Sequence, residues 1–419
     1  MSKDFKVRRY GRDRRRQRKV NAAKVILLVA VIAAACLAGW YLYDPVSAWV
    51  SEKAAQWQLQ REQREQERAQ EQQNQQNQQN QQGEPGGQEE PGTTPTLPTE
   101  EQGAFPAGSV VLDTALLYEP DALEQKLAAL AAEGYTGAVF TLKDADGLVL
   151  YRSALEDVTQ NTAQTAARYD LKAVIETIEA AGLTPIGRIW AFDDHTASRR
   201  MPDAMVKYNY TETNWIHNDK EAGGHSWLNP ASSRAQEYIL SLLWEAADSG
   251  LSAILLEGVQ FPTGYSLELA TYAEKGVTVD KSAVLADFAG RAAAEMRQRG
   301  VSLWTALWMG DLSGESVRLG SDPMKVLSAA EHCVIKAAPE QFATKKAPLA
   351  EDIYTVMQAR WAALTPKLPE GVTLAAEVQG YAPAAGLWQG AGWGETQVAD
   401  QIRAAEQAGV KGILLAEGR

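Results

Sequence analysis

The chain has 419 residues and a net charge of −12 that is unevenly spread. Its first 24 residues hold eleven Lys or Arg and two Asp, a local +9 that leaves −21 for the remainder. Such asymmetry argues against a nucleic-acid partner and for a basic arm beside a membrane.

Residues 25–43 (VILLVAVIAAACLAGWYLY) carry no charge. Nineteen residues at ~1.5 Å each span roughly 29 Å, about the hydrocarbon thickness of a bilayer. Trp40, Tyr41 and Tyr43 stand at the distal end, where amphipathic rings favour the interface. A cleaved leader would end its apolar run sooner, whereas this run continues past Cys36. The expectation is an uncleaved single-pass anchor in the cell membrane, with the basic N-terminus cytoplasmic and the rest extracytoplasmic. The exported part then has one cysteine, Cys333, in the apolar run CVI, so its folding rests on the core without a disulfide.

Residues 44–107 read as a spacer. Glu, Gln and Arg give way to an almost pure Gln/Asn tract at 72–82 and then to Gly, Pro, Glu and Thr. Such composition buries too little apolar surface to fold. A flexible stretch of ~50 residues reaches roughly 40 Å, enough to hold a domain away from a membrane.

From Gly108 to Arg419 short apolar runs alternate with Ala-rich amphipathic stretches. The runs predict strands at 110–114, 137–142, 184–190, 253–256, 302–307, 333–337, 373–377 and 412–415. Helical patterns lie at 121–133, 171–181, 232–249, 282–299, 322–330, 349–363 and 395–407, several ending in a glycine suited to a left-handed stop. Continuously apolar strands, each but the last followed by a helix, indicate a parallel sheet covered on its outer face. Eight of them predict an α/β fold, a (β/α)8 TIM-like barrel over 108–419. A doubly wound sheet would place a Gly-rich phosphate turn after its first strand, where Asp113-Thr114-Ala115 offers none. No cofactor is expected.

A barrel of this kind works at the C-terminal ends of its strands. Those ends supply Asp113, Lys143, Asp144, Arg188, Trp190, Asp193, Asp194, Glu257, Gln260, Trp308, Asp311, Lys336, Glu377, Gln379 and Glu417. Carboxylate pairs serve glycoside hydrolysis, and flat indoles stack on sugar faces.

At these positions the chain resembles a family of exported bacterial (β/α)8-barrel proteins known as putative glycosyl hydrolases. The family pattern V-I-D-V-K-D-x-x-G is similar to residues 139–147 (VFTLKDADG), and A-R-I-V-x-F-x-D to residues 187–194 (GRIWAFDD). W-x-D-P resembles Trp227-Leu228-Asn229-Pro230, and F-D-x-V-R-F-P resembles residues 256–262 (LEGVQFP). Departures fall on polar positions: Thr141 and Glu257 stand where the family has Asp, Gln260 where it has Arg, and strand five ends in WTALW without an acid.

The resemblance implies a glycoside hydrolase, and the expected anchor and spacer make a cell-envelope polysaccharide its expected substrate. Glu257, Glu377 and Asp144 are the candidate catalytic residues. Lys143, Arg188, Trp190, Asp193, Asp194, Trp227, Gln260 and Trp308 are the candidate substrate contacts. Glu257 and Glu377, at the ends of strands four and seven, would act as a retaining pair at ~5–5.5 Å or an inverting one at ~6.5–9.5 Å. The missing acids keep a second expectation open, an inactive barrel that binds glycan or an envelope protein. His195, His217 and His225 match no metal-ligand spacing, so no metal site is expected there and the histidines are read as hydrogen-bonding or substrate-contacting.

Overall fold

The structure, a computed structural model, describes residues 105–218, 223–314 and 319–418. The expected membrane segment at 25–43 and nearly all of the spacer lie outside the described residues, among which no helix is long and apolar enough to cross a membrane.

Eight parallel strands close into a barrel: β1 Gly108–Val111, β2 Gly137–Lys143, β3 Thr184–Trp190, β4 Ala253–Glu257, β5 Ser302–Trp308, β6 His332–Lys336, β7 Thr373–Gln379 and β8 Gly412–Ala416. Closure is made by β1, where Val110 aligns with Ala138 on one side and Leu415 on the other. Each strand lies within a few residues of its expected place, because buried strands in a parallel sheet are apolar on both faces. The inner faces pack Val139, Ile186, Leu255, Trp304, Val334 and Leu414 into one cluster inside the barrel. Phe105 seals its N-terminal end, edge-on to Trp304 at 4.9 Å. A second and larger core lies between sheet and helices.

Seven principal helices cover the sheet: α1 Pro120–Ala132, α2 Leu171–Ala180, α3 Ser233–Asp248, α4 Lys281–Gln298, α5 Pro323–Ala330, α6 Ile353–Leu364 and α7 Glu395–Gln407. Side chains set their starts. Asp170, Ser232, Asp280 and Asp352 each accept from the backbone N–H three residues on, satisfying a donor the helix cannot. That cap begins α6 at Ile353 rather than at Leu349. The same chemistry ends β1 early: Asp113 takes the N–H of Ala115 at 2.9 Å and turns the chain into a 3-10 turn instead of a longer strand. Gly182 and Gly250, with φ of 79° and 101°, stop α2 and α3 in the left-handed conformation.

Two long excursions, after β3 and after β4, rise above the barrel mouth and join through an antiparallel pairing of Lys207–Tyr208 with Ala270–Thr271. Strands of two residues leave no periodicity to read. In β6 the Cys333 thiol is fully buried, and burial pushes it well above its usual range.

Candidate active site

Alternation along each strand sends Thr141, Arg188, Glu257, Lys336 and Glu377 toward one polar layer above the inner apolar cluster. Lys336 is its hub. Its Nζ donates to Glu257 Oε2 at 2.6 Å and lies 3.5 Å from Glu377 Oε1. It also stands over the rings of Trp308 and Trp190, 4.9 and 5.4 Å from their centroids. Burial alone would depress this ammonium, but Glu257 and Glu377 outweigh it and hold the group above its ordinary value. Burial also raises the Glu377 carboxyl, against the pull of Lys336 and with added repulsion from Glu257. Arg188 completes the layer, donating to Thr141 Oγ1 at 2.8 Å and lying 3.8 Å from Glu257 Oε1.

Above the layer lies a cavity of about 240 Å³, lined by Trp190, Asp193, His217, Trp227, Glu257, Gln260, Trp308, Asp311 and Lys336 among others. Asp193 is its distinctive acid. Burial pushes the Asp193 carboxyl up to about 7, opposed by Lys143 and reinforced by Asp194 and Asp146. One cavity thus holds an acid that is half protonated near neutrality and, in Glu257, a carboxylate paired with cations. A protonated acid beside a second carboxylate is the pair of groups that acid-assisted glycoside hydrolysis uses.

Lys143 and Asp194 are brought to each other rather than to the cavity. The β2 register slips between Thr141 and Lys143, so Lys143 aligns with Ile189, whose side chain belongs to the outer core. Fully buried, the Lys143 Nζ lies 2.9 Å from Asp194 Oδ2 and donates to the carbonyls of Trp190 and Ala191 at 2.6 and 3.3 Å. Asp194 in turn accepts from Ala197 N at 2.6 Å and caps the short helix His195–Ser198. The pair therefore fixes the turn that presents Asp193. Lys143→Met should cost about 3–5 kcal/mol by stranding a buried carboxylate, measurable by urea unfolding. Gly147→Ala should cost roughly 2–4 kcal/mol in the same assay, since its φ is 84° and an added Cβ would lie 1.8 Å from Asp194 Oδ1.

Asp144 is also away from the cavity. Its Oδ1 accepts from Asp146 N at 3.0 Å and Leu148 N at 2.8 Å, closing the loop after β2. Glu377 does not line the cavity either but lies across Lys336 from Glu257. Arg188 reaches Glu257 from below, whereas Trp190, Asp193, Trp227, Gln260 and Trp308 all line the cavity wall. Lys336, Asp311 and His217 join them. The first two were visible only as polar residues at strand ends, and His217 only as a loop histidine.

The histidines hold the β3 excursion together. His195 Nδ1 accepts from Ser226 N at 3.0 Å, and its ring stacks on His225 at 4.8 Å. His217 Nδ1 accepts from His225 N at 2.9 Å. Among the described residues no group of His, Cys, Asp and Glu is arranged to hold a metal ion.

Residues 110–419 match the family described as "putative glycosyl hydrolase domain". No curated protein matches the chain. Among solved structures it is similar to the PgaB (BpsB) glycoside hydrolase domain from Bordetella bronchiseptica, with 14% identity, a TM-score of 0.53, and coverage of 74% of this chain and 93% of that one. A hypothetical protein from Ruminiclostridium thermocellum is 22% identical over 47% of this chain and 96% of its own, with a TM-score of 0.40. Alpha-L-fucosidase isoenzyme 2 from Paenibacillus thiaminolyticus is 13% identical over 74% of this chain and 45% of its own, with a TM-score of 0.48. At such identities the Bordetella likeness speaks for the barrel alone. The family match covers nearly the whole barrel, and on it the chain belongs to the family of putative glycosyl hydrolase domains.

Proposed function

We propose that this chain is a membrane-anchored glycoside hydrolase that cleaves a cell-envelope polysaccharide, with Asp193 as proton donor and Glu257 as the opposing carboxylate. One observation carries the reading: Asp193, with its carboxyl near 7, and the cation-paired Glu257 line the same tryptophan-walled cavity. In this reading Asp193 protonates the glycosidic oxygen as the bond to the anomeric carbon breaks. Glu257 faces the positive charge that develops on the ring, either attacking it directly or activating a water. Trp190, Trp227 and Trp308 supply flat faces for the sugar and exclude solvent. Arg188 and Lys336 hold Glu257 in place.

The envelope as the location rests on the sequence. A basic arm, an apolar stretch of bilayer length and a polar spacer would present the barrel outside the membrane within reach of wall polymers. Protease added to intact cells should then remove the barrel and leave the basic arm protected.

A second reading is supported by the Lys336 contact. An ammonium 2.6 Å from Glu257 ties up the carboxylate oxygen that a nucleophile needs free, which suits a barrel that binds glycan without cleaving it. Full-length protein incubated with purified envelope polysaccharides separates the two. New reducing ends support hydrolysis, while retention on the polymer with no new ends supports binding alone.

A further inference from the structure

We propose that the cavity selects a sugar bearing an acetamido group, whose methyl enters an apolar bay at its outer end while Gln260 pairs with the amide. The proposal rests on the cavity being a glycan site and names a substituent that its substrate carries.

The cavity crosses the end of β5. Successive side chains of a strand point to opposite faces, yet Ala306, Leu307 and Trp308 all line it. Ala306 belongs to the cluster inside the barrel, whereas Leu307 belongs to the core between sheet and helices. Leu285 of α4 and Val326 of α5, from that same outer core, line the cavity too. It therefore runs from the polar layer at Glu257 and Lys336, over the strand end, into a bay between the sheet and these two helices. Val259 and Leu319 add to the apolar lining.

A sugar bearing only hydroxyls has nothing to place in such a bay, because a hydroxyl set against leucine and valine loses its water without a partner. A methyl gains from the same surroundings. The cavity, at about 240 Å³, is smaller than the ~300–1,000 Å³ of sites that enclose a drug-sized ligand, which suits one sugar unit with a short acyl group rather than a long chain. Charge narrows the choice. Among the described residues the only lysine or arginine lining the cavity is Lys336, already engaged by Glu257 and Glu377, so none is left for a carboxylate or phosphate substituent. Gln260 is the uncommitted polar group. Its side chain lines the cavity, and among the described residues its amide makes no hydrogen bond. A primary amide offers an acceptor and two donors, the complement of an acetamido N–H and C=O.

NMR titration of the full-length protein in detergent tests this with N-acetylglucosamine, N-acetylgalactosamine and N-acetylmannosamine, each beside its parent hexose and its free amine. At least one acetamido sugar should bind roughly 10- to 200-fold more tightly than its hexose, the range for filling a small apolar pocket. Val326→Phe should fill the bay and reduce that ratio to within threefold of unity, with the hexose still bound. Gln260→Leu should reduce it roughly three- to tenfold. Each ratio compares two ligands on one protein, so a general loss of folding does not imitate the effect, and where V326F does not fold, Q260L decides. The proposal is overturned by equal binding of acetamido sugar and hexose, by tighter binding of the free amine, by binding of none of the sugars, or by an unchanged ratio in folded V326F or in Q260L. Cleavage plays no part in the titration. A chain that shows the preference yet releases no sugar from polysaccharide would remove the hydrolase reading and leave the acetamido site standing.

Discussion

Glu257→Gln should lower sugar release by roughly 10²–10⁴-fold while leaving the fold in place. The substitution keeps the shape of the side chain and removes the charge that faces the developing cation at the anomeric carbon. Lys336 remains beside Glu377, and Arg188 keeps its bond to Thr141, so the polar layer is weakened without being emptied. The stability cost should be about 1–3 kcal/mol, the range for a buried hydrogen bond to a charged group. The measurement is turnover on the polysaccharide beside thermal unfolding of both proteins. Release within threefold of the unaltered chain, at equal folded fraction, would remove Glu257 from the mechanism. Loss of release without loss of binding is the expected pattern, because Trp190, Trp227 and Trp308 still hold the sugar.

The barrel was legible because its signals are local. A fully buried parallel strand is a short apolar run, and Gly182 or Gly250 marks where the preceding helix must stop. Trp190, Glu257 and Trp308 were equally legible, since strand ends face the mouth in any such barrel. What the sequence hid depends on register between distant segments. One slipped pairing after Thr141 turns Lys143 to the outer core, where it meets Asp194 rather than a ligand. Lys336 becomes a hub only because β4, β6 and β7 bring Glu257 and Glu377 to either side of it. Thr141, which as a threonine gave no sign of a role, receives Arg188 in the polar layer only because β2 and β3 align the two residues. Asp193 could be read as a ligand contact but not as an acid, because its proton affinity is set by how deeply the cavity wall buries it.

Asp193→Asn should therefore slow catalysis sharply and stabilise the fold at the same time. The native carboxyl titrates at about 7, against 3.8 for the exposed group, so between those values the folded chain holds a proton that the unfolded chain has released. Stability from this group is full below pH ~4 and is lost as pH rises through about 7. A neutral amide has no such loss. The variant should match the unaltered protein near pH 4 and exceed it above pH 7 by as much as about 4 kcal/mol, the free energy of a shift of that size. Catalysis runs the other way. A proton donor works only while protonated, so sugar release should fall as pH rises through about 7. Asp193→Asn should leave a residual rate at least ~100-fold lower with no alkaline limb. Urea unfolding at pH 5 and pH 8, paired with pH–rate profiles of both proteins, reads both effects. An unchanged alkaline limb in the variant would show that another group donates the proton, and equal stabilities at pH 8 would show that burial does not hold this carboxyl neutral.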